Sequence, residues 1–321
     1  VANESRQGDT PVNPRIGLFG KVPAAGDFIA FNASTAVGRT LDQWLRDGID
    51  NVLARKKPPP QQPVRFLYRD PRGMTACIGV MVPSADKVGR RFPICAYAEL
   101  DMPVATMRFS SLPAAYAHFL DAAARILEQE AATASPEALA EQIGRLAPPG
   151  PAELAEANAW ANEALQVTPG QTVLEALFGP LAGGVHYHAL NMARAACLRL
   201  RGNAVAVADT ILDCTASDDV QLLFWTRLVN ALLQWRQAPA SLVWNASDSR
   251  DTRLLIALGS PDPSLIHFLA DPNLTAERLW PMKTTDVTTI QRGRASLPAT
   301  LLAALEPPAP TAEQIIVAAA T

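Results

Sequence analysis

Lys21 lies in GLFGKVPAAGD, residues 17–27, among glycines 17, 20 and 26 and ahead of Asp27. A lysine behind a glycine-rich turn is how P-loop proteins hold phosphate, with loop amides wrapping the anion and the lysine neutralising it. That chemistry needs four residues between the glycines and a Ser or Thr directly after Gly-Lys, whose hydroxyl holds magnesium. Here two residues separate Gly17 from Gly20, Val22 follows Lys21, and Pro23 removes an amide the nest would use. Nucleotide binding through this loop is not expected.

A second charged cluster, Lys87, Arg90 and Arg91, sits in PSADKVGRR, residues 83–91. Arginine forks match carboxylates and phosphates, so this segment is either a binding tip or a set of solvated turn charges. Both stretches combine glycine with unlike charges. They are therefore expected to meet at one end of a sheet, with Asp27 pairing Arg90 or Arg91.

Other chemistries find less support. Neither Ser84 nor any other serine lies in the Gly-x-Ser-x-Gly elbow that exposes a hydrolase nucleophile. His118 and His267 fall in apolar, structural contexts. His186-Tyr187-His188 would put two imidazoles on one side if extended, but no third metal ligand is predicted nearby, and directly after Gly183-Gly184 a loop or helix entry is equally natural. Cys77, Cys95, Cys197 and Cys214 lack a Cys-x-x-Cys pair and read as buried thiols in a reducing compartment. No catalytic, cofactor-binding or metal-ligating residue is assigned, and no cofactor is expected.

Composition sets the frame for these residues. The chain has 321 residues, 49% hydrophobic and 18% charged, enough for a sizeable core. A net charge of −3 gives no long-range attraction for nucleic acid. The polar start, VANESRQGDTPVNP, has no basic-then-apolar signal pattern, and no run reaches 18 apolar residues, so neither export nor a membrane span is expected. Asn245-Ala246-Ser247 is then a chance sequon.

The elements that must position the loops follow from periodicity. Residues 15–19 are extended; Leu41, Trp44, Leu45, Ile49, Val52 and Leu53 recur at helical spacing behind a cap at Ser34 or Thr35. KKPPPQQP stops that helix, and VRFLYRD reads as a strand. MTACIGVMV and FPICAYAEL flank PSADKVGRR as a hairpin with a long basic tip. In its second strand Phe92, Ile94, Ala96, Ala98 and Leu100 should face one way, and Cys95, Tyr97 and Glu99 the other. The lack of charge predicts a central strand covered on both faces. Helices are predicted at 113–130, after Ser135-Pro136, through 152–201 and from Asp218-Asp219 to Trp235; SLVWN and RLLIALG read as strands joined across ASDSRDT.

Two of these stretches carry a resemblance. GLFGKVPAAGDF resembles the Gly-x-x-Gly-Lys-x-Pro-x-x-Gly-Asp-Phe opening of the TagF (ImpM) family of bacterial type VI secretion. LDQWL is similar to that family's tryptophan-bearing helix, and GVMVPSADKVGRRFP resembles its second signature. The close match spans residues 15–100, with a weaker echo in SLVWN and RLLIALGSPDPSLIHFL and no counterpart over 131–215. The resemblance implies a non-enzymatic cytoplasmic repressor of type VI secretion that binds a forkhead-associated-domain scaffold protein. It marks Gly20, Lys21, Pro23, Gly26 and Asp27, with Pro83, Asp86, Gly89 and Arg90, as signature residues; Arg91 stands beside them in the basic tip. Whether they touch a partner or hold the fold stays open.

The expected fold is α/β, a mixed, largely antiparallel sheet flanked by helices. The expected division is a flexible arm at 1–13, a domain at 14–290 with a helical insertion at 131–215, and a flexible tail at 291–321 in which LPATLLAAL has the pattern of a marginal helix. The alternative function is a phosphate- or nucleotide-binding sensor using Lys21, Arg90 and Arg91; an enzyme is the reading least supported.

Overall fold

The computed structural model describes residues 14–72, 75–245, 253–306 and 310–321. The expected arm at 1–13 and the whole of the turn ASDSRDT lie outside the described residues. Nine strands form one sheet in the order β2-β1-β5-β4-β3-β7-β8-β6-β9. These are β1 (Ile16–Gly20), β2 (Ile29–Phe31), β3 (Val64–Arg69), β4 (Thr75–Val82), β5 (Ile94–Asp101), β6 (Ile211–Thr215), β7 (Ser241–Asn245), β8 (Arg253–Ala257) and β9 (Leu279–Pro281). Every pairing is antiparallel except β6 with β9. The sheet is thus mixed, largely antiparallel and flanked by helices.

Strand β5 lies between β1 and β4, and residues 94–98 are fully buried. Its alternation divides two cores. Ile94, Ala96, Ala98 and Leu100 enter one, with Phe119, Leu120 and Ala123 of helix α4 (Ala117–Glu130). Cys95 and Tyr97 enter the other, beneath helix α1 (Ala36–Ala54). Phe92 belongs with Tyr97 rather than with Ile94, because it and Pro93 precede the strand and do not share its alternation.

Helix α1 starts at Thr35, whose hydroxyl accepts from the Gly38 amide at 3.1 Å. It buries Leu41, Trp44, Leu45, Ile49 and Val52, side chains whose burial contributes roughly 1.5–3 kcal/mol apiece. The Tyr97 ring is wedged between α1 and β1. A Cβ at Gly17 would lie 2.3 Å from its Cζ, and one at Gly38 2.4 Å from its hydroxyl. The first glycine of the opening motif therefore makes room for a buried ring.

Helices α2 (Met102–Met107), α3 (Leu112–Ala115), α5 (Pro136–Gly144), α6 (Pro151–Val167), α7 (Gly170–Phe178) and α8 (Val185–Leu198) follow along the chain. The stretch expected as a helical insertion ends in β6, a strand of the main sheet. Ile211, Leu212 and Cys214 are buried there, and Asp213 pairs Arg253 of the neighbouring β8 through both carboxylate oxygens, at 2.8 and 2.7 Å. His186 and His188 lie on α8, not in an extended segment; two residues apart on a helix, they point to different sides. His188 Nε2 is 3.1 Å from the Pro281 carbonyl, while burial and the Arg294 charge push the His186 imidazole down to about 4, so it is neutral at pH 7.

The remaining helices are α9 (Asp219–Leu233), α10 (Leu265–Ala270), α11 (Val287–Ala295), α12 (Ala299–Ala304) and α13 (Ala312–Ala320). The last three stand where a flexible tail was expected. Thr311 and Gln314 form a capping box for α13, and Leu301, Ile315, Ile316 and Ala319 are buried in the same core as α4 and α9. The proline-rich approach to α13 hid an apolar stripe that needs tertiary cover, not a free terminus. Ile316→Ala should cost about 2–5 kcal/mol in denaturant unfolding; an unchanged midpoint would mean that α13 does not dock.

Candidate functional site

The two signature loops meet beside the end of β1. Gly20 has φ of +139°, and a Cβ there would lie 2.3 Å from the Pro93 carbonyl oxygen. Only glycine accepts both the backbone angle and this approach of β1 to the start of β5. The turn aims Lys21 at the hairpin tip, where its ammonium lies 3.0 Å from Asp86 Oδ2. Lys21 is 7% exposed and Asp86 3%, so this is a buried ion pair.

Asp86 holds the tip together. Arg90 Nε donates to Oδ2 at 2.6 Å, while the Val88 and Arg90 amides donate to Oδ1 at 3.1 and 2.9 Å. Burial of the Asp86 carboxyl acts to raise its pKa. The bonds from the Arg90 amide, Lys21, the Arg90 side chain and the Val88 amide outweigh that and hold it well below the usual carboxylate range. Two further bonds join the loops: Arg90 Nη2 to the Gly26 carbonyl at 2.7 Å, and the Lys87 amide to the Ala25 carbonyl at 2.9 Å.

The expectation that the loops converge thus holds, but the pairing differs. Asp27 is exposed and its carboxylate accepts from the Phe28 amide at 2.8 Å; the partner of Arg90 is Asp86, four residues away in its own turn. Asp86 takes Arg90 because its carboxylate is buried inside the tip beside Lys21, whereas Asp27 sits exposed on its own loop. Beside this knot the Phe28 and Phe92 rings pack edge to face at 4.9 Å, and the Arg46 guanidinium stacks 3.7 Å from the Phe28 centroid. Sequence reasoning missed Arg46 and Phe28. Their signal was an arginine one turn after Asp42 on α1 and the aromatic closing the first signature.

The signature residues fall into two sets. Gly20, Lys21 and Asp86 are buried within the joint. Pro23, Gly26, Asp27, Pro83, Gly89, Arg90 and Arg91 lie at the surface, and a Cβ at Gly26 would meet nothing within 4 Å. Val88, absent from the expected set, is 71% exposed at the apex. As a phosphate cradle the arrangement is poor, since Asp86 already occupies Lys21 and Arg90. Among the described residues no group of three or more His, Cys, Asp or Glu could hold a metal ion.

Removing the Asp86 charge should reveal the joint's linkage to pH. A depressed folded-state pKa stabilises the protein above the unfolded carboxylate value of about 3.9, and this contribution is lost as pH falls through the folded value. The melting temperature of Asp86→Asn should lie below wild type by a constant gap from pH 7 to 5, and the gap should shrink below about pH 4. A gap independent of pH would show that the charge plays no part. Gly20→Ala should lower stability by about 3 kcal/mol or more in the same assay, with α-helical circular dichroism retained.

Comparison with known proteins gives this site a setting. No curated protein sequence matches the chain. Among solved structures, the crystal structure of PA0076 from Pseudomonas aeruginosa PAO1 aligns with a TM-score of 0.45 at 17% identity, covering 83% of this chain and 99% of that one. Residues 17–146 match the family model of the TagF N-terminal domain, described as type VI secretion system-associated. The match reaches beyond the residues that carry the resemblance and takes in α5, part of the stretch expected to have no family counterpart. Both loops of the ion-paired joint lie inside this match, and residues 17–146 are therefore similar to the TagF N-terminal domain, type VI secretion system-associated.

Proposed function

We propose that the chain is a non-enzymatic negative regulator of type VI secretion. It acts in the cytoplasm by binding the forkhead-associated-domain scaffold protein of that system, and the contact face is the tip formed by residues 23–27 and 83–91. The observation that carries this reading is the way the TagF signatures are used. Their buried members, Gly20, Lys21 and Asp86, lock two loops together, and their outer members stand at the surface. A carboxylate that clamps two tip amides holds Lys87, Val88 and Arg91 in one presentation, which lowers the ordering cost of binding. An exposed valine ringed by cations suits a protein partner better than a small ligand.

No helix among the described residues is long and apolar enough to cross a membrane, which fits action through binding. Purified full chain should capture the purified scaffold protein, and Val88→Asp should weaken that capture by tenfold or more with an unchanged melting temperature. In cells, raising the level of the chain should suppress secretion, and Val88→Asp should abolish the suppression. Capture and suppression that are both indifferent to Val88→Asp would remove the tip from the mechanism.

A further inference from the structure

A groove of about 260 Å³ runs along the outer side of the tip, between residues 59–62 and the shoulders of the β4–β5 hairpin. Met81, Val82 and Phe92 line its apolar part, and Arg91 stands at its rim. We propose that this groove seats an extended, acidic segment of the partner protein, an aliphatic or aromatic side chain resting on Met81, Val82 and Phe92 and a neighbouring carboxylate pairing Arg91. The inference rests on the partner-binding reading above and names the chemistry by which the partner is held.

Three features argue for it. The walls are Pro59 and Pro60 on one side and Pro83 and Pro93 on the other. Proline has a fixed φ, so the groove is formed before anything binds and little conformational freedom is lost on occupation. Gln61 and Gln62 add amides that both donate and accept, Gln61 Nε2 already donating to the Pro59 carbonyl.

Charge selects the occupant. Arg91 is exposed and makes no ion pair among the described residues, because Asp86, the acid of its own turn, is taken by Lys21 and Arg90. The guanidinium is thus an unused fork of the geometry that grips a carboxylate. Around it the two loops carry Lys21, Lys87, Arg90 and Arg91 against Asp27 and Asp86, a local excess of positive charge on a chain whose net charge is −3. An acidic segment is attracted here.

The test uses the full chain and the purified scaffold protein, with affinity measured by calorimetry at low and high salt. Arg91→Glu and Ala85→Trp, the second filling the groove from its lining, should each weaken binding tenfold or more. Melting temperatures should stay within about 2 °C of wild type. Arg91→Gln, which removes the charge and leaves a polar, uncharged side chain, should weaken binding and flatten its salt dependence. Overlapping scaffold peptides should yield a binder with Asp or Glu beside an apolar residue, lost when that acid becomes Lys. Wild-type affinity in all three variants would overturn the groove and leave the partner-binding reading standing. No binding by wild type would overturn both. A wild-type dimer that Ala85→Trp converts to monomer would assign the groove to a second copy of the chain and also overturn the proposal.

Discussion

The structure depends on a central pair of strands that water does not reach from either side. Residues 94–98 of β5 are fully buried, and β4 from Ala76 to Val82 is buried throughout. A strand covered on both faces needs a helical layer on each, and that requirement accounts for α1 and α10 over one face and α4 with the later helices over the other. It also explains the small residues. Ala96 and Ala98 let α4's core approach one face, while Gly17 and Gly38 admit the Tyr97 ring on the other.

Out of this rigid pair the hairpin tip projects, and its conformation is decided by one carboxylate. Asp86 accepts from two amides, a lysine and an arginine, so the tip is held to β1 at several points rather than left as a long exposed turn. A buried charge pair of this sort adds little net stability against an apolar substitute, yet breaking it by removing one partner is costly. Its service is to fix one arrangement. Signature residues that looked alike in the chain therefore differ in place: some make the joint, and others lie exposed around it.

The family match ends at residue 146, but the sheet does not. Its strand β3 pairs with β7 from the other half of the chain, and the buried Arg69 at the end of β3 donates to the carbonyls of Pro239, Val205 and Ala206. Desolvation pushes that guanidinium down to about 10, so it stays charged at neutral pH and needs those acceptors. The matched part would expose one edge of β3 and a stranded arginine if it stood alone. Residues 211–320 complete the sheet and the core beneath it.

Much was legible in the chain itself: the β4–β5 hairpin from two apolar runs around Pro, Asp and Gly, α1 from its 3.6-residue stripe, and the opening motif's failure as a phosphate loop. These are local patterns, and neighbouring residues report them. The two loops' convergence was legible as well, but not its wiring, because which carboxylate meets Lys21 depends on where the sheet end points each side chain. The docking of α13 was equally hidden, since Ile315 and Ile316 acquire meaning only against a core built from residues far away. Sequence by itself determined the elements and the family-marking residues; tertiary structure decided which became the buried joint and which the surface. Burial and ion pairing over 65 residues of separation are properties of the packed chain, not of any segment.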